Sequence, residues 1–294
     1  MAEPPPVQLN QSAVRRAFNH AAATYDEYAV LQREVGERLE ARLQFMQIDP
    51  AIVLDLGAGT GFCARLLEAR YRSATILLLD PAPAMLTMAR KNGKRWFPRA
   101  RLLCADAAHM CLADHSVDLI FSNLTLHWCA DLLQVFQECR RVLRPGGLLL
   151  FSTLGPATLQ ELRAAWATID DRPHVHFFLD IHDIGDAVVR SGFSAPVLDR
   201  DNLILTYKEL TGLTQDLKSI GAVNSHVERR RGLSGSATLK TLSRAYEPFR
   251  QDGVLPATYE LLFGHAWAPF PDTRAQDGST VATFPLKNLR RRAT

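Results

Sequence analysis

The sequence predicts an α/β fold of the Rossmann-like kind, built on a seven-stranded, mostly parallel sheet. Three observations predict it. Short apolar runs alternate with helical patterns between Ala51 and Thr153, three glycines follow the first run, and a polar residue ends each of the next three. Short apolar runs are typical of strands buried on both faces, and intervening helices require parallel pairing through right-handed crossovers.

The elements can be taken in chain order. Residues 1–11 are expected to be a flexible tail, and residues 12–46 carry apolar side chains at helical spacing. Strands and helices then alternate through a core at 51–153. The expected strands are 51–56, 74–80, 100–106, 117–123 and 148–153, with helices at 62–70, 82–92 and 132–142.

Regularity weakens after the fifth strand. Two later runs, 202–207 and 258–267, complete the predicted sheet, and the helical insertion between them spans 208–250. Further helices are expected at 158–170 and 183–193. The segment 268–294 is polar and basic and is expected to be a second tail. The sequence therefore predicts one folded domain over residues 12–267.

Composition narrows the class of protein. The chain has 294 residues, 47% of them hydrophobic, and a net charge of only +3, whereas general nucleic-acid binders are usually more basic. No apolar run is long enough to span a bilayer, and prolines near the start replace the apolar stretch of a signal peptide. Five cysteines without a C-x-x-C pair favour neither a disulfide framework nor a metal site. We expect a cytoplasmic protein without a metal.

The glycines after the first strand do not fit a dinucleotide site. They are Gly57, Gly59 and Gly61, and a G-x-G-x-x-G fingerprint would require a glycine where Phe62 stands. Asp55 lies two residues before the first glycine. A carboxylate is unfavourable beside a pyrophosphate but suits a ligand with a cationic end.

Acidic and amide residues after the next strands point to S-adenosylmethionine. Asp80 ends the second strand, about 20 residues on, where a carboxylate binds ribose hydroxyls. The D-x-G-x-G-x-G pattern resembles motif I of class I methyltransferases, which implies that Asp106 contacts the adenine and Asn123 the amino-acid portion. Two alternatives remain: a glycine turn whose neighbouring acidic residues are only solvated, and an enzyme that binds a nicotinamide cofactor. The predicted cofactor-binding residues are Tyr25, Asp55, Gly57, Ala58, Gly59, Gly61, Asp80, Pro81, Met85, Asp106, Ala107 and Asn123.

A closer resemblance extends over most of the chain. It is carried by "RRAFNHAAATYDEYAVLQREVGERL", "SNLTLHWCADL", "WATIDDRPHVHFF", "DLKSIGAVNSH" and "PATYELLFGHAW", in this order. These segments are similar to the malonyl-carrier-protein O-methyltransferases of biotin synthesis, the BioC family. One departure is His127, where a glutamine or similar polar residue is expected.

The resemblance implies a specific reaction. The enzyme would use S-adenosylmethionine to methylate the free carboxyl of a malonyl thioester on acyl carrier protein, which starts pimeloyl-chain synthesis. The ester removes a charge that is costly in an apolar acyl pocket. Three alternatives stay open. They are the related methyltransferase-like assembly factors of respiratory complex I, which imply arginine hydroxylation, another small-molecule methyltransferase that uses S-adenosylmethionine, and a cofactor-binding module without activity.

The resemblance also implies how the substrate is bound. Tyr25 belongs to an N-terminal segment that would fold over the cofactor, and the expected substrate contacts are Leu124, His127, Trp128 and His176. No general base is expected, because a carboxylate nucleophile is already ionised. The basic run Arg229, Arg230 and Arg231 is expected to dock the acidic carrier protein. A monomer is favoured, and the choice between carrier protein and coenzyme A is left open.

Overall fold

The structure, a computed structural model, describes residues 9–93, 100–227 and 236–271 and the backbone of the pairs 273–274 and 280–281. Three helices precede the sheet: α1 (Gln11–Ala21), α2 (Tyr25–Tyr28) and α3 (Val30–Arg42). Val14 of α1 and Val35 and Leu39 of α3 are buried. The apolar positions at helical spacing therefore form the buried sides of these helices.

Strands and helices alternate after α3 as the apolar runs predict. The helical insertion expected before the last strand is present as two helices, α9 and α10. In chain order, the elements are β1 (Ile52–Leu56), α4 (Phe62–Arg70), β2 (Thr75–Leu79), α5 (Pro83–Asn92), β3 (Ala100–Leu103), β4 (Val117–Ser122), α6 (Leu132–Val142), β5 (Leu143–Leu154), α7 (Gln160–Ala167), α8 (Ile181–Arg190), β6 (Ser194–Tyr207), α9 (Leu210–Ser219), α10 (Ser236–Tyr246) and β7 (Leu255–Trp267).

The strands form one seven-stranded sheet in the order β3–β2–β1–β4–β5–β7–β6. Neighbours from β3 to β5 pair in parallel, and β7 is antiparallel to both β5 and β6. The predicted seven-stranded, mostly parallel sheet is therefore confirmed. The strand order reverses between β1 and β4, and open α/β sheets bind their ligands outside the carboxyl ends of the strands at such a point.

Apolar side chains cover both faces of the sheet. Alternate residues of one strand face opposite layers, so Val53 packs in one buried cluster and Leu54 in the other. The first cluster includes side chains of α3 and α4, and the second includes side chains of α6 and α8. In the described part of the chain, no helix combines the length and the apolar character that crossing a membrane requires.

The strand β6 is longer than the apolar run at 202–207 predicts. Its first residues, 194–201, are mostly exposed or half-buried and include Pro196. Among the described strands, β6 pairs only with β7 and lies at the sheet edge. An edge strand tolerates proline and polar side chains, so hydrophobicity alone underestimates its length.

Both predicted tails contain residues that pack on the domain. Leu9 is buried and forms an antiparallel bridge with His226, and the side chain of Asn10 caps α1 by accepting the Ala13 N–H at 2.9 Å. At the other end, Ala268 is buried and exchanges backbone hydrogen bonds with residues 146 and 147. The predicted domain boundaries therefore leave out a few residues that belong to the packed structure.

Candidate functional site

A cavity with a volume of about 340 Å³ lies at the carboxyl ends of the parallel strands. Residues that follow β1, β2, β3 and β4 line its floor, and α1 and α2 contribute Val14, Phe18 and Tyr25 to its cover. The cavity therefore lies at the point where the strand order reverses, as expected for the ligand site of an open α/β sheet.

The glycines of the turn after β1 have different functions. Gly57 has φ +75°, and a Cβ there would lie 2.1 Å from Oγ1 of Thr125, so packing against the loop after β4 excludes a side chain. Gly59 has φ +53°, and a Cβ there would meet no atom within 4 Å. Because Gly59 also lines the cavity, it is the glycine whose missing side chain keeps room for a ligand.

The carboxylate of Asp80 is held in a fixed orientation after β2. Its Oδ2 accepts the Gly59 N–H at 3.0 Å, and its Oδ1 accepts the Ala82 N–H at 2.8 Å. Burial raises the pKa of this carboxyl to about 6, against the effect of the two backbone donors. Each oxygen has a second acceptor site, so Asp80 can receive a pair of hydroxyl groups from the cavity.

Two buried oxygen acceptors near the turn have no hydrogen-bond partner among the described residues: Oδ2 of Asp55 and Oε1 of Gln32. Burial raises the pKa of the Asp55 carboxyl to about 7. Unsatisfied buried acceptors are costly, and a cationic N–H donor is the ligand group that compensates them best. S-adenosylmethionine carries an ammonium and a sulfonium. Gln32 lines the cavity and can accept the ammonium directly, whereas Asp55 does not line it and acts on a cationic ligand through its charge.

Gln32 is a site residue that the sequence interpretation missed. It lines the cavity, and its backbone oxygen accepts the Nδ2 group of Asn123 at 2.8 Å, while Oδ1 of Asn123 accepts the Ser152 hydroxyl at 2.8 Å. Hydrogen bonds to α3 and to β5 therefore hold the side-chain amide of Asn123 in place. Gln32 lies within the quoted "AVLQREVG" segment, but only the packing of α3 against the sheet places it at the cavity.

Most of the predicted cofactor residues meet at the cavity. Asp55, Ala58 and Gly61 do not line it and lie within or behind the turn. The four predicted substrate residues, Leu124, His127, Trp128 and His176, all line it. The predicted docking residues Arg229, Arg230 and Arg231 lie outside the described residues. The cofactor residues that line the cavity are Tyr25, Gly57, Gly59, Asp80, Pro81, Met85, Asp106, Ala107 and Asn123.

Aromatic rings form the wall opposite the turn. Trp128 lies between two histidines, with ring centroids 5.2 Å from His127 and 4.9 Å from His176. Phe178 lies 5.7 Å from His127 on the other side. Burial lowers the pKa of His127 to about 3 and that of His176 to about 4, so both rings are neutral near pH 7.

His176 is buried, with 8% of its surface exposed; neither ring nitrogen makes a well-aligned hydrogen bond among the described residues, and the backbone of Val223 is the one group near enough to interact with the ring as a hydrogen-bond partner. A neutral imidazole provides one donor and one acceptor. Arg15 of α1 also lines the cavity, and it is the one arginine or lysine among the described lining residues. The wall therefore offers a buried neutral imidazole, and one cationic side chain, to an anionic substrate.

The other histidines of the segment 174–182 have structural partners. The ring of His174 stacks on Trp166 at 3.6 Å, and its Nε2 lies 2.7 Å from Oδ1 of Asp170. Asp180 caps α8 by accepting the N–H groups of His182 and Asp183. The described residues contain no cluster of three or more potential metal ligands.

Comparisons with known proteins agree with this geometry. Residues 54–151 match the family model described as a methyltransferase domain. The fold resembles the methyltransferase solved in complex with the Trm112 activator of Haloferax volcanii, with a TM-score of 0.57, 17% identity and coverage of 88% of this chain and 99% of that one. It also resembles a Haemonchus contortus phosphoethanolamine N-methyltransferase 2 solved with S-adenosyl-L-methionine, with a TM-score of 0.52, 18% identity and coverage of 80% and 53%.

The fold and the matched domain define a class I, S-adenosylmethionine-dependent methyltransferase. Two curated relatives narrow the class. Malonyl-acyl-carrier-protein O-methyltransferases of Methylovorus sp. (strain MP688) and Laribacter hongkongensis are each 48% identical to this chain, over 283 and 284 residues. The alignments cover 94% of this chain in both cases and 95% and 96% of the relatives. The chain belongs to the malonyl-acyl-carrier-protein O-methyltransferase family.

Proposed function

We propose that this protein transfers the methyl group of S-adenosylmethionine to the free carboxyl of a malonyl thioester carried by acyl carrier protein. The observation that carries the proposal is the 48% identity over 94% of the chain. That similarity extends far beyond residues 54–151, the part that matches a general methyltransferase domain. The methyl ester would begin the acyl chain used for biotin synthesis, as the family resemblance implies.

The cofactor would be held by the turn after β1 and by the polar ends of the next strands. Asp80 would accept the ribose hydroxyls, Asp106 would contact the adenine, and Gln32 with Asn123 would receive the ammonium end. Asp55 would favour the cationic ligand through its charge from behind the turn. The bound cofactor supplies an electrophilic methyl group, and these side chains orient it toward the aromatic wall.

The substrate carboxylate would lie against His176. A neutral imidazole has one N–H, which would donate to one carboxylate oxygen, and Trp128 and Leu124 would exclude water around it. Arg15 supplies the one cationic side chain, at the exposed edge of the cavity. Orientation and removal of water provide the rate enhancement, since the reaction needs two reactants held in line.

No residue would act as a general base. A carboxyl group with a pKa of about 4 is ionised at working pH, so the nucleophile needs no base. The leaving group is a neutral thioether and needs no acid. His127 has a pKa of about 3, and its Nδ1 lies 3.3 Å from the Thr153 hydroxyl. Its place in the wall therefore fits a polar substrate contact rather than a proton acceptor.

The carrier protein would dock partly through Arg229, Arg230 and Arg231. The support is their charge, because carrier proteins are acidic and complementary charges accelerate association. The carrier presents its acyl group on a long thioester arm, whose end would enter the cavity beside the aromatic wall. We further propose that the enzyme acts as a monomer in the cytoplasm.

The proposal is tested by intact-mass measurement of carrier proteins after incubation with the enzyme and cofactor. Malonyl-carrier protein should gain one methylene unit per molecule, and malonyl-coenzyme A should react more slowly. Acetyl-carrier protein is the matched control, because it has the same thioester arm without a free carboxyl. It should remain unmodified.

The Asp80→Ala variant serves as the enzyme control and should lower cofactor affinity by about 2 kcal/mol, the scale for hydrogen bonds to a charged group. Equal modification of the acetyl and malonyl carriers would contradict carboxyl methylation. No modification of malonyl-carrier protein by enzyme that binds the cofactor would contradict the substrate assignment.

A further inference from the structure

The short helix α2 places two consecutive residues in different environments. Tyr25 lines the cavity, and burial together with the nearby Asp80 carboxylate raises the pKa of its hydroxyl. The next residue, Asp26, does not line the cavity. Its side chain points instead toward the turn after β1 and the end of α5.

Both carboxylate oxygens of Asp26 accept hydrogen bonds from these two elements. Oδ1 accepts the hydroxyl of Thr60 at 2.5 Å, and Oδ2 accepts the Nδ2 group of Asn92 at 2.7 Å. The backbone oxygen of Asp26 also accepts Arg33 at 2.5 Å. One side chain therefore joins the N-terminal segment to the glycine turn and to the carboxyl end of α5.

Thr60 links this contact directly to the cofactor side. It is 2% exposed and directly follows Gly59, which lines the cavity. Its backbone oxygen accepts Arg65 at 3.2 Å and Asn92 at 3.4 Å, so the turn is braced from the side away from the cavity. The Asp26–Thr60 contact consequently fixes the position of Tyr25 relative to Gly59 across the cavity.

The cover must move for the ligand to exchange. Side chains of α1 and α2 lie over the cavity, including Val14, Phe18 and Tyr25. A cofactor bound between the cover and the strand ends cannot leave along that side while the cover is seated. The strength of the bonds that hold the cover then contributes to the rate of release.

We propose that Asp26 is a positioning residue that latches the N-terminal segment onto the glycine turn and thereby slows release of the bound cofactor and its product. The proposal rests on the proposed function for the identity of the ligand, S-adenosylmethionine and S-adenosylhomocysteine. The latch is the pair formed by Asp26 and Thr60, with Asn92 as its second donor. Charge-assisted hydrogen bonds of this length are among the stronger ones in proteins.

The test is a stopped-flow measurement of S-adenosylhomocysteine dissociation from the full-length protein. Asp26→Ala and Thr60→Val should each accelerate dissociation about tenfold, since each removes one side of the same contact. The double variant should be no faster than Asp26→Ala alone, because that variant already removes the bond to Thr60 together with the bond to Asn92. Thr60→Ser retains the hydroxyl and should restore slow dissociation.

Thr241→Val is the matched control, because Thr241 is exposed on α10 and its hydroxyl donates to the backbone oxygen of Ala237 in the same helix. It should leave dissociation unchanged. Under turnover, the latch variants should raise KM for the cofactor more than KM for the malonyl carrier. A general loss of structure would not produce this difference between the two KM values.

Unchanged dissociation in folded Asp26→Ala and Thr60→Val, or additive effects in the double variant, would overturn the latch. If Asp26→Ala does not fold, Thr60→Val and Thr60→Ser decide the question, because valine keeps the size of the buried side chain without its hydroxyl and serine keeps the hydroxyl. A failure of the unaltered protein to bind S-adenosylhomocysteine would instead overturn the proposed function.

Discussion

Burial sets the protonation of the two histidines beside the cavity. His127 and His176 have pKa values lowered to about 3 and about 4, far below the ordinary value of 6.5. Since the pKa of each falls on folding, the native protein holds them neutral and loses stability as the pH falls below 6.5. At pH 7 neither ring offers a fixed positive charge to a substrate.

The His127→Gln variant tests whether a base is required. Glutamine keeps a hydrogen-bond donor, so we expect most of the single-turnover methyl-transfer rate to remain. For the unaltered enzyme the rate should be nearly flat between about pH 6.5 and 8.5, because neither the carboxylate nucleophile nor His127 titrates there. The measurement requires saturating cofactor, since Asp55, with a pKa of about 7, makes cofactor binding itself depend on pH.

A general base would give a different result. Its removal typically slows a proton-transfer step about 10²-fold or more. A loss of that size in His127→Gln, with disappearance of an inflection near pH 6.5, would contradict a carboxylate nucleophile. It would indicate a hydroxyl, amine or carbon nucleophile, and hence a different substrate class.

The polar residues at strand ends could be predicted individually from the sequence. Asp80, Asp106 and Asn123 each follow an apolar run, and parallel strands bring their carboxyl ends to one edge. Gln32 and Arg15 could not be identified in this way. They reach the cavity from helices that pack over the sheet, and helical periodicity does not determine which strand ends a helix will cover.

The turn after β1 shows how one short element combines stability and binding. Gly57→Ala should lower the free energy of unfolding by about 3 kcal/mol, because the new Cβ would overlap Thr125 in a backbone already at positive φ. Gly59→Ala should cost only about 1 kcal/mol of stability but weaken cofactor binding at least about tenfold. Denaturant unfolding and calorimetric titration measure the two effects.

Gly192→Ala provides the control for backbone strain. Gly192 has φ +80°, a Cβ there would meet no atom within 4 Å, and it does not line the cavity. The Gly192→Ala variant should therefore lose about as much stability as the Gly59→Ala variant, and it should bind the cofactor normally. Normal cofactor binding by Gly59→Ala would show that the open side of this glycine does not face the ligand.

Elements differ in how far the sequence determines their limits. The interior strands β1, β2 and β4 match their apolar runs closely, because both faces of each are buried. The edge strand β6 has mostly exposed or half-buried residues, and its hydrophobic pattern covers less than half of its length. The helix α8 begins earlier than predicted, where Asp180 provides the cap.

The whole molecule divides into a shared part and a part specific to the family. Residues 54–151 match the methyltransferase domain found in many enzymes, and they contain the turn and the three polar strand ends. The cover helices α1–α3 and the segment with His174 and His176 lie outside that range, yet they complete the cavity. Their similarity to the curated relatives supports a shared substrate as well as a shared cofactor.

The most direct test of carboxyl methylation follows the transferred methyl group. Malonyl-carrier protein is incubated with the enzyme and cofactor labelled in its methyl group, and the product is then hydrolysed with alkali. A methyl ester releases its label as volatile methanol, so we expect quantitative recovery of the label in the methanol. Label that remains bound to the acyl chain or to the carrier after hydrolysis would mean carbon or nitrogen methylation and would contradict the account.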